Sequence, residues 1–279
     1  MSELLPPLLD RTLAAALVVG VLCGLVGTLV VLRRRAFFTV ALTHATFPGG
    51  VIAALAGVNI SLGAGLFGLL LVGLMALLSR IRRQGQYAPA GIVLSFGYAL
   101  GAALLAFFPG KGARVDSFLT GSILTVSDET LLVLGAVLAL ALLVFLLLGK
   151  ELLFSSFDRR GFQAAGYREG LVDAVVLALI SITVAAAMPA IGSILAIAMI
   201  AAPAASARLF ARTFGGMLLA SCALGVTAAV AGLLASRGLD LAAGGAIALA
   251  ASLVFLLTLA VRGLAVRLRR RERVGYGVG

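Results

Sequence analysis

Apolar runs of about twenty residues, the length of helix that crosses the hydrocarbon core of a bilayer, recur from one end of this chain to the other. Short charged or glycine-bearing stretches separate them. In lipid such runs have one outcome: every backbone N–H and C=O must be paired internally, so each run closes its hydrogen bonds on itself as a helix. Spans are expected at roughly 13–32, 36–57, 61–79, 89–108, 130–149, 171–189, 191–211, 214–236 and 240–261, which is about nine, or eight if one is redrawn. The fold class is therefore an all-α, polytopic transmembrane helical bundle. A β-barrel would alternate polar and apolar residues along each strand, and these runs do not. At 62% hydrophobic and only 12% charged, the chain is not a soluble globular protein. The gaps leave no room for a separate soluble domain, so residues 1–279 read as one transmembrane domain, with a membrane core over 10–262 and a basic tail over 263–279.

The net charge of +11 would suit a nucleic-acid binder, but the placement of the charges argues against one. The basic residues gather at the ends of apolar runs, as they do when they fix a membrane orientation, and form no continuous basic face with interleaved aromatics. Arg33–Arg35, Arg80/Arg82/Arg83, the basic residues of Lys150–Arg168, Arg208/Arg212 and those of Arg262–Arg273 fall on one side. Only Arg11, Lys111, Arg114 and Arg237 fall on the other. The positive-inside rule then puts the N-terminus outside, and the C-terminus with its basic tail in the cytoplasm, which requires an odd number of spans. The first run is too long for the core of a secretory signal peptide and reads as a retained span. Cys23 and Cys222 are far apart, form no CxxC pair, and read as packing residues. Small residues at four-residue spacing, Gly20/Gly24, Gly97/Gly101 and Ala201/Ala205, point to closely packed helices.

Chemistry concentrates in Ala36–Gly50. This stretch contains His44, the single histidine of the chain, with Thr39, Thr43 and Thr46 around it and the helix-perturbing pair Pro48-Gly49 directly after. An imidazole within a span is costly unless it faces protein or water, so it marks either a pathway or a hydrogen bond between helices. Pro203, in the middle of the run 191–211, bends that helix and offers a hinge. In the outer loop, Ser117–Leu124 is too short to span and reads as an interfacial or re-entrant helix. In the inner loop Gly149–Gly170, Ser155 or Ser156 is expected to cap a short helix running through Asp158 and Phe162 toward Ala165, with Gly166 as its C-cap. That helix is either a docking element for a soluble partner or a plain connector.

The sequence has no GxxxxGK[ST] phosphate loop, no HExxH and no GxSxG. Acidic residues are nearly absent from the spans: Asp173 and Asp240 lie at span ends. With neither a nucleotide site nor a carboxylate relay of its own, the chain is expected to be no enzyme but a passive pore or the membrane part of a machine powered elsewhere.

Thr43–Gly49, THATFPG, resembles the S-H-A-x-x-P-G segment of ABC-3 permeases, the membrane subunits of manganese, zinc and iron(II) ABC importers. Arg33-Arg34 precedes it as in that family. Phe118–Leu124, FLTGSIL, resembles the family's L-F-G-S-I-L, and Gly192–Leu209 resembles its G-x-x-L-x-x-A-L-L-x-x-P-A-A-x-A-R-L. The inner loop from Phe157 to Asp173 resembles the segment that docks in the partner ATPase. The likeness spans most of residues 10–262. It implies a homodimer in the bacterial inner membrane, working with a cytoplasmic ATPase dimer and an extracytoplasmic metal-binding protein. The transported divalent ion is the substrate, ATP is used by the partner subunit, and no cofactor is bound covalently. Carried over by position, His44 would be a metal-contacting residue of the translocation path, with Thr43, Pro48, Gly49 and Pro203 lining it or hinging it. Asp158, Phe162, Ala164, Ala165, Gly166 and Tyr167 would couple to the ATPase, and Phe118, Gly121 and Ser122 would meet the binding protein. The chain departs from the family at Val40, where members often carry an acidic residue one helical turn before the histidine. An ABC permease for a metal chelate or other small solute, and a non-transport membrane assembly protein, remain as alternatives.

Overall fold

The computed structural model describes residues 5–78, 88–108, 121 and 123–275. The described residues form helices and no strand. In order they are α1 (Leu5–Leu32), α2 (Ala36–Ala45), α3 (Phe47–Ala56), α4 (Ile60–Leu78), α5 (Ala88–Phe107), a 3-10 turn (Ile123–Thr125), α6 (Asp128–Phe157), α7 (Arg159–Ala164), α8 (Glu169–Ile191), α9 (Ser193–Phe210), α10 (Phe214–Gly238) and α11 (Ala243–Gly275). Counting α2 and α3 as one, 8 stretches among the described residues are long and apolar enough to cross a membrane. The remaining expected span is α9, whose apolar part, Leu195–Phe210, is shorter. The basic tail continues α11 as helix to Gly275 rather than starting a new element.

The helices pack in two groups joined by α8. Helices α1, α9, α10 and α11 pack together; α2, α3, α4 and α5 form the second group; α8 touches both, and α6 lies along α1 and α8. The most apolar span, α6, is the least buried of the eight, and the least apolar, α2–α3, is the most buried. This inversion follows from the solvent: lipid tails are as apolar as leucine, so close packing rather than hydrophobicity selects what lies inside. Gly20 and Gly24 of α1 supply such packing against α10. A Cβ on Gly20 would stand 2.7 Å from the Val226 Cα, and one on Gly24 2.5 Å from the Ser221 carbonyl oxygen. Ser221 Oγ adds a hydrogen bond to the Gly24 carbonyl, 2.7 Å long.

Three local expectations are revised. The span expected at 36–57 is two ten-residue helices meeting at Thr46. Next, α6 runs on through Ser155 and Ser156, which do not cap the following helix. Their hydroxyls bond back to the Glu151 and Leu152 carbonyls, as serine does inside a helix. The cap is Asp158, which has left helical geometry (φ −132°, ψ 86°) and accepts the Gly161 N–H at 2.8 Å. Finally, α8 continues past Pro189, where the sequence ends the span, and stops at Gly192 with φ +83°. Of the segment expected as an outer helix, Phe118 and Ser122 lie outside the described residues. Of its described residues, Gly121 is not helical, and Ile123 and Leu124 belong to a single 3-10 turn, Ile123–Thr125.

Candidate functional site

The site is built on the interruption between α2 and α3. Thr46 keeps near-helical angles (φ −77°, ψ −10°), so the chain does not reverse but restarts its helix one residue later. Pro48 sits in the first turn of α3, where a missing N–H is tolerated. It nevertheless withholds the usual helical donor from the His44 carbonyl four residues earlier. Gly49 lets α3 touch α4 backbone to backbone: a Cβ there would lie 2.4 Å from Phe67 Cβ and 2.5 Å from the Gly63 carbonyl oxygen. On the α5 side, a Cβ on Gly97 would lie 2.6 Å from Ala45 Cα, and one on Gly101 2.2 Å from Phe47 Cδ1. The ring of Phe47 stacks on Tyr98 at 6.4 Å. The residues either side of the break are thus clamped by two helices.

His44 is half-buried in this clamp. The threonines around it are buried and satisfied by their own helix: Thr39 bonds to the Arg35 carbonyl, Thr43 to Val40 and Thr46 to Leu42. Thr46 Oγ1 also approaches Met188 Sδ of α8 at 3.7 Å. Val40, one turn before His44, offers no side-chain oxygen, and among the described residues no group of three or more His, Cys, Asp or Glu side chains could hold a metal. A single chain therefore presents one imidazole rather than a closed metal cage.

Sequence reasoning missed two hydroxyls on α8. Ser181 and Thr183 are fully buried, and neither Oγ has a hydrogen-bond partner. Ser181 Oγ stands 2.2 Å, and Thr46 Cγ2 2.9 Å, from the point a Cβ on Gly68 would occupy, which puts that hydroxyl beside the helix break. An unpaired hydroxyl in an apolar interior costs about 1–3 kcal/mol. Nothing in the pattern Leu179–Thr183 distinguishes these hydroxyls from ones bonded back to their own helix. Pro203 is buried inside α9.

The loop between α6 and α8 forms the expected short helix with both ends closed. Asp158 caps α7 at its start. At its end Gly166, with φ +83°, donates to the Gln163 carbonyl, and Tyr167 donates to the Phe162 carbonyl, a Schellman closure. Phe162 is fully buried, stacked on Tyr167 at 4.7 Å and edge-on to Phe154 at 5.4 Å. It therefore anchors the helix, while Gln163, Ala164 and Ala165 face outward. Glu169 holds Arg159 and Gln163 from the start of α8.

A cluster that the sequence did not reveal ties this segment to the His44 helix. Asp173 of α8 receives Arg33 Nη1 at 3.2 Å and Arg35 Nη2 at 2.6 Å, two of the three arginines that precede α2. Arg33 Nη2 also donates to Ser155 Oγ at 2.5 Å, near the end of α6. Burial lowers the pKa of Arg33 from its ordinary value, and the neighbouring Asp173 opposes that shift. The helices on either side of α7 are thus bonded to the turn that starts α2.

At the other end of α8, Gly121 (φ +64°) presses on the break between α8 and α9: a Cβ there would lie 2.0 Å from the Gly192 nitrogen. Ile123 beside it is fully buried. Gly121 is thus in backbone contact with Gly192, where the α8–α9 connection turns.

The family model described as "ABC 3 transport family" matches residues 6–262. The manganese transport system membrane protein MntC of Halalkalibacterium halodurans is 32% identical over 249 residues, 89% of this chain and 85% of that protein. The manganese import system permease protein ScaB of Streptococcus gordonii is 34% identical over 252 residues, 90% of each. Among solved structures, PsaBC from Streptococcus pneumoniae in complex with Fab superimposes with a TM-score of 0.82 at 31% identity, covering 90% of each chain.

Proposed function

The chain belongs to the ABC 3 transport family, whose model spans residues 6–262, and on that premise we propose that it is the permease through which manganese enters the cell. It is a membrane-spanning subunit of a metal-ion ABC importer. The observation that carries the cargo is the likeness, at 32% and 34% identity across about nine-tenths of the chain, to two proteins named for manganese. In this reading two copies pair in the inner membrane, N-terminus outside, with an ATPase dimer below and a metal-binding protein above.

The path runs past His44. Its neutral imidazole nitrogen would give the ion a transient ligand, and the orphaned hydroxyl of Ser181 supports a polar route close by. A hard ion such as Mn²⁺ prefers oxygen to nitrogen. With Val40 replacing the carboxylate, residence at His44 is short, which suits conduction better than storage. The docked ATPase would act on α7. Its motion would reach α2 through the Arg33–Ser155 and Arg33/Arg35–Asp173 bonds, and the break at Thr46 would let α2 move relative to α3.

The test is cellular Mn, Zn and Fe content under metal limitation, by elemental mass spectrometry, in a deletion strain complemented with the native chain, His44→Ala or Val40→Asp. Manganese restored by the native chain and not by a well-expressed His44→Ala supports the reading. Restoration of a different metal would replace the cargo. No change in any metal, with the partners present, would favour a chelate or a non-transport role. Val40→Asp is expected to tighten binding of the ion and slow its release.

A further inference from the structure

Two cavities meet at the turn between α1 and α2, on the face that carries most of the basic residues. The first, of about 340 Å³, is polar and is lined by Arg33, Arg34, Arg35, Arg159 and Arg208, with Glu169 and Asp173 as its acids. Those two carboxylates are already engaged: Asp173 by Arg33 and Arg35, Glu169 by Arg159. Arg208 donates to the Val31 carbonyl at 3.0 Å, and neither it nor Arg34 forms an ion pair among the described residues. The cavity therefore keeps the charge of three arginines uncompensated. Its wall is built rather than incidental, because the Arg33 side chain is only 8% exposed and hydrogen-bonded on both sides. Arg34, an exposed residue held at φ +55°, stands between this cavity and the next.

The second cavity, of about 560 Å³, is open, almost wholly apolar, and lined by Val30, Val31, Arg34, Ala36 and Phe37. A cationic pocket beside an apolar groove, the two sharing one lining arginine, matches a molecule with a phosphate at one end and hydrocarbon at the other. We propose that this is a binding site for an anionic phospholipid. Its phosphate would sit between Arg34 and Arg208, and an acyl chain would lie in the groove beside Phe37. Basic pockets between helices at the cytoplasmic end take such headgroups. The shared chemistry is that of a phosphate anion. The groove, which inorganic phosphate cannot fill, decides for the lipid. The site lies against both Asp173 and α7, so a bound lipid would brace the turn that starts α2.

The test uses the full chain, purified in mild detergent, stripped of lipid and titrated by native mass spectrometry with phosphatidylglycerol or phosphatidylcholine. Inorganic phosphate serves as a competitor, and the variants are Arg34→Gln/Arg208→Gln and Phe37→Ala. At about fivefold per arginine, the native chain should retain phosphatidylglycerol over phosphatidylcholine by tenfold or more, and the double variant should lose about 25-fold. Phe37→Ala should weaken the lipid by several fold. Equal retention of the two lipids, or full retention by the double variant, would overturn the proposal. Displacement of the lipid by millimolar phosphate would reduce the site to a free-anion site and overturn it as well. An arginine cluster serving only a protein partner would show no headgroup preference. If the double variant fails to fold, the headgroup comparison on the native chain still decides.

Discussion

Phe162→Ala should free α7 from the bundle while leaving the bundle folded. Phe162 is fully buried in the hydrophobic core, and its aromatic partners are Phe154 near the end of α6 and Tyr167 just past α7. Truncating a buried phenylalanine to alanine costs about 3–5 kcal/mol. What else holds α7 is smaller: the Asp158 cap is worth about 1 kcal/mol, and each exposed bond from Arg159 and Gln163 to Glu169 less than about 1 kcal/mol. A six-residue helix has no stability of its own. The loss therefore exceeds what remains, and α7 should open locally. A loss of 3 kcal/mol corresponds to a roughly hundredfold fall in amide protection, confined to residues 158–167 and readable by hydrogen exchange on the detergent-purified chain. On the proposal that α7 meets the ATPase, metal uptake should fall with it. Unchanged protection over 158–167 would refute the anchor argument. Loss of protection across α6 and α8 as well would refute the claim that α7 is held separately.

Asp173→Asn should cost about 1–3 kcal/mol, below the about 3–5 kcal/mol of a fully buried ion pair, because Asp173 and Arg35 are about a quarter exposed. Titrating the purified chain with denaturing detergent measures it, and a change below about 0.5 kcal/mol would show that the pair contributes little. The glycines provide a matched comparison. Gly121→Ala meets both a positive φ and a Cβ placed 2.0 Å from the Gly192 nitrogen, so strain and overpacking together should lower stability by about 2–4 kcal/mol. Gly166→Ala meets a positive φ but open space, and should cost only about 1 kcal/mol. Equal melting temperatures for the two variants would contradict this reading of the Gly121–Gly192 contact.

The spans, their order and their approximate ends were legible from the sequence, because a bilayer leaves a long apolar run no alternative to a helix. The contact between α1 and α10 was half legible: the Gly20/Gly24 spacing announces a close approach without naming the partner. His44, Pro48 and Gly49 stood out for the same kind of reason, since an imidazole, a missing N–H and a missing Cβ are each local chemical facts. The short helix between α6 and α8 was also legible, with its glycine stop, but its cap was not. Both Ser155 and Asp158 can accept a backbone N–H, and only the point where the long helix actually ends chooses between them.

Tertiary structure decided what those residues do. Gly49 proved to be a contact with Gly63, Gly121 a contact with Gly192, and Phe162 an inward anchor. Asp173 looked like an ordinary acid at a span end, yet it gathers Arg33 and Arg35 from about 140 residues away in sequence. Ser181 and Thr183 look like any small polar residues in a membrane helix until packing removes every partner. The division has one physical cause. Helix formation in lipid is settled within a run by its own backbone hydrogen bonds, whereas lipid supplies no hydrophobic force to order the helices. Which faces meet is left to shape, to the fit of glycine against backbone and arginine against carboxylate, and that fit exists only once distant segments lie side by side.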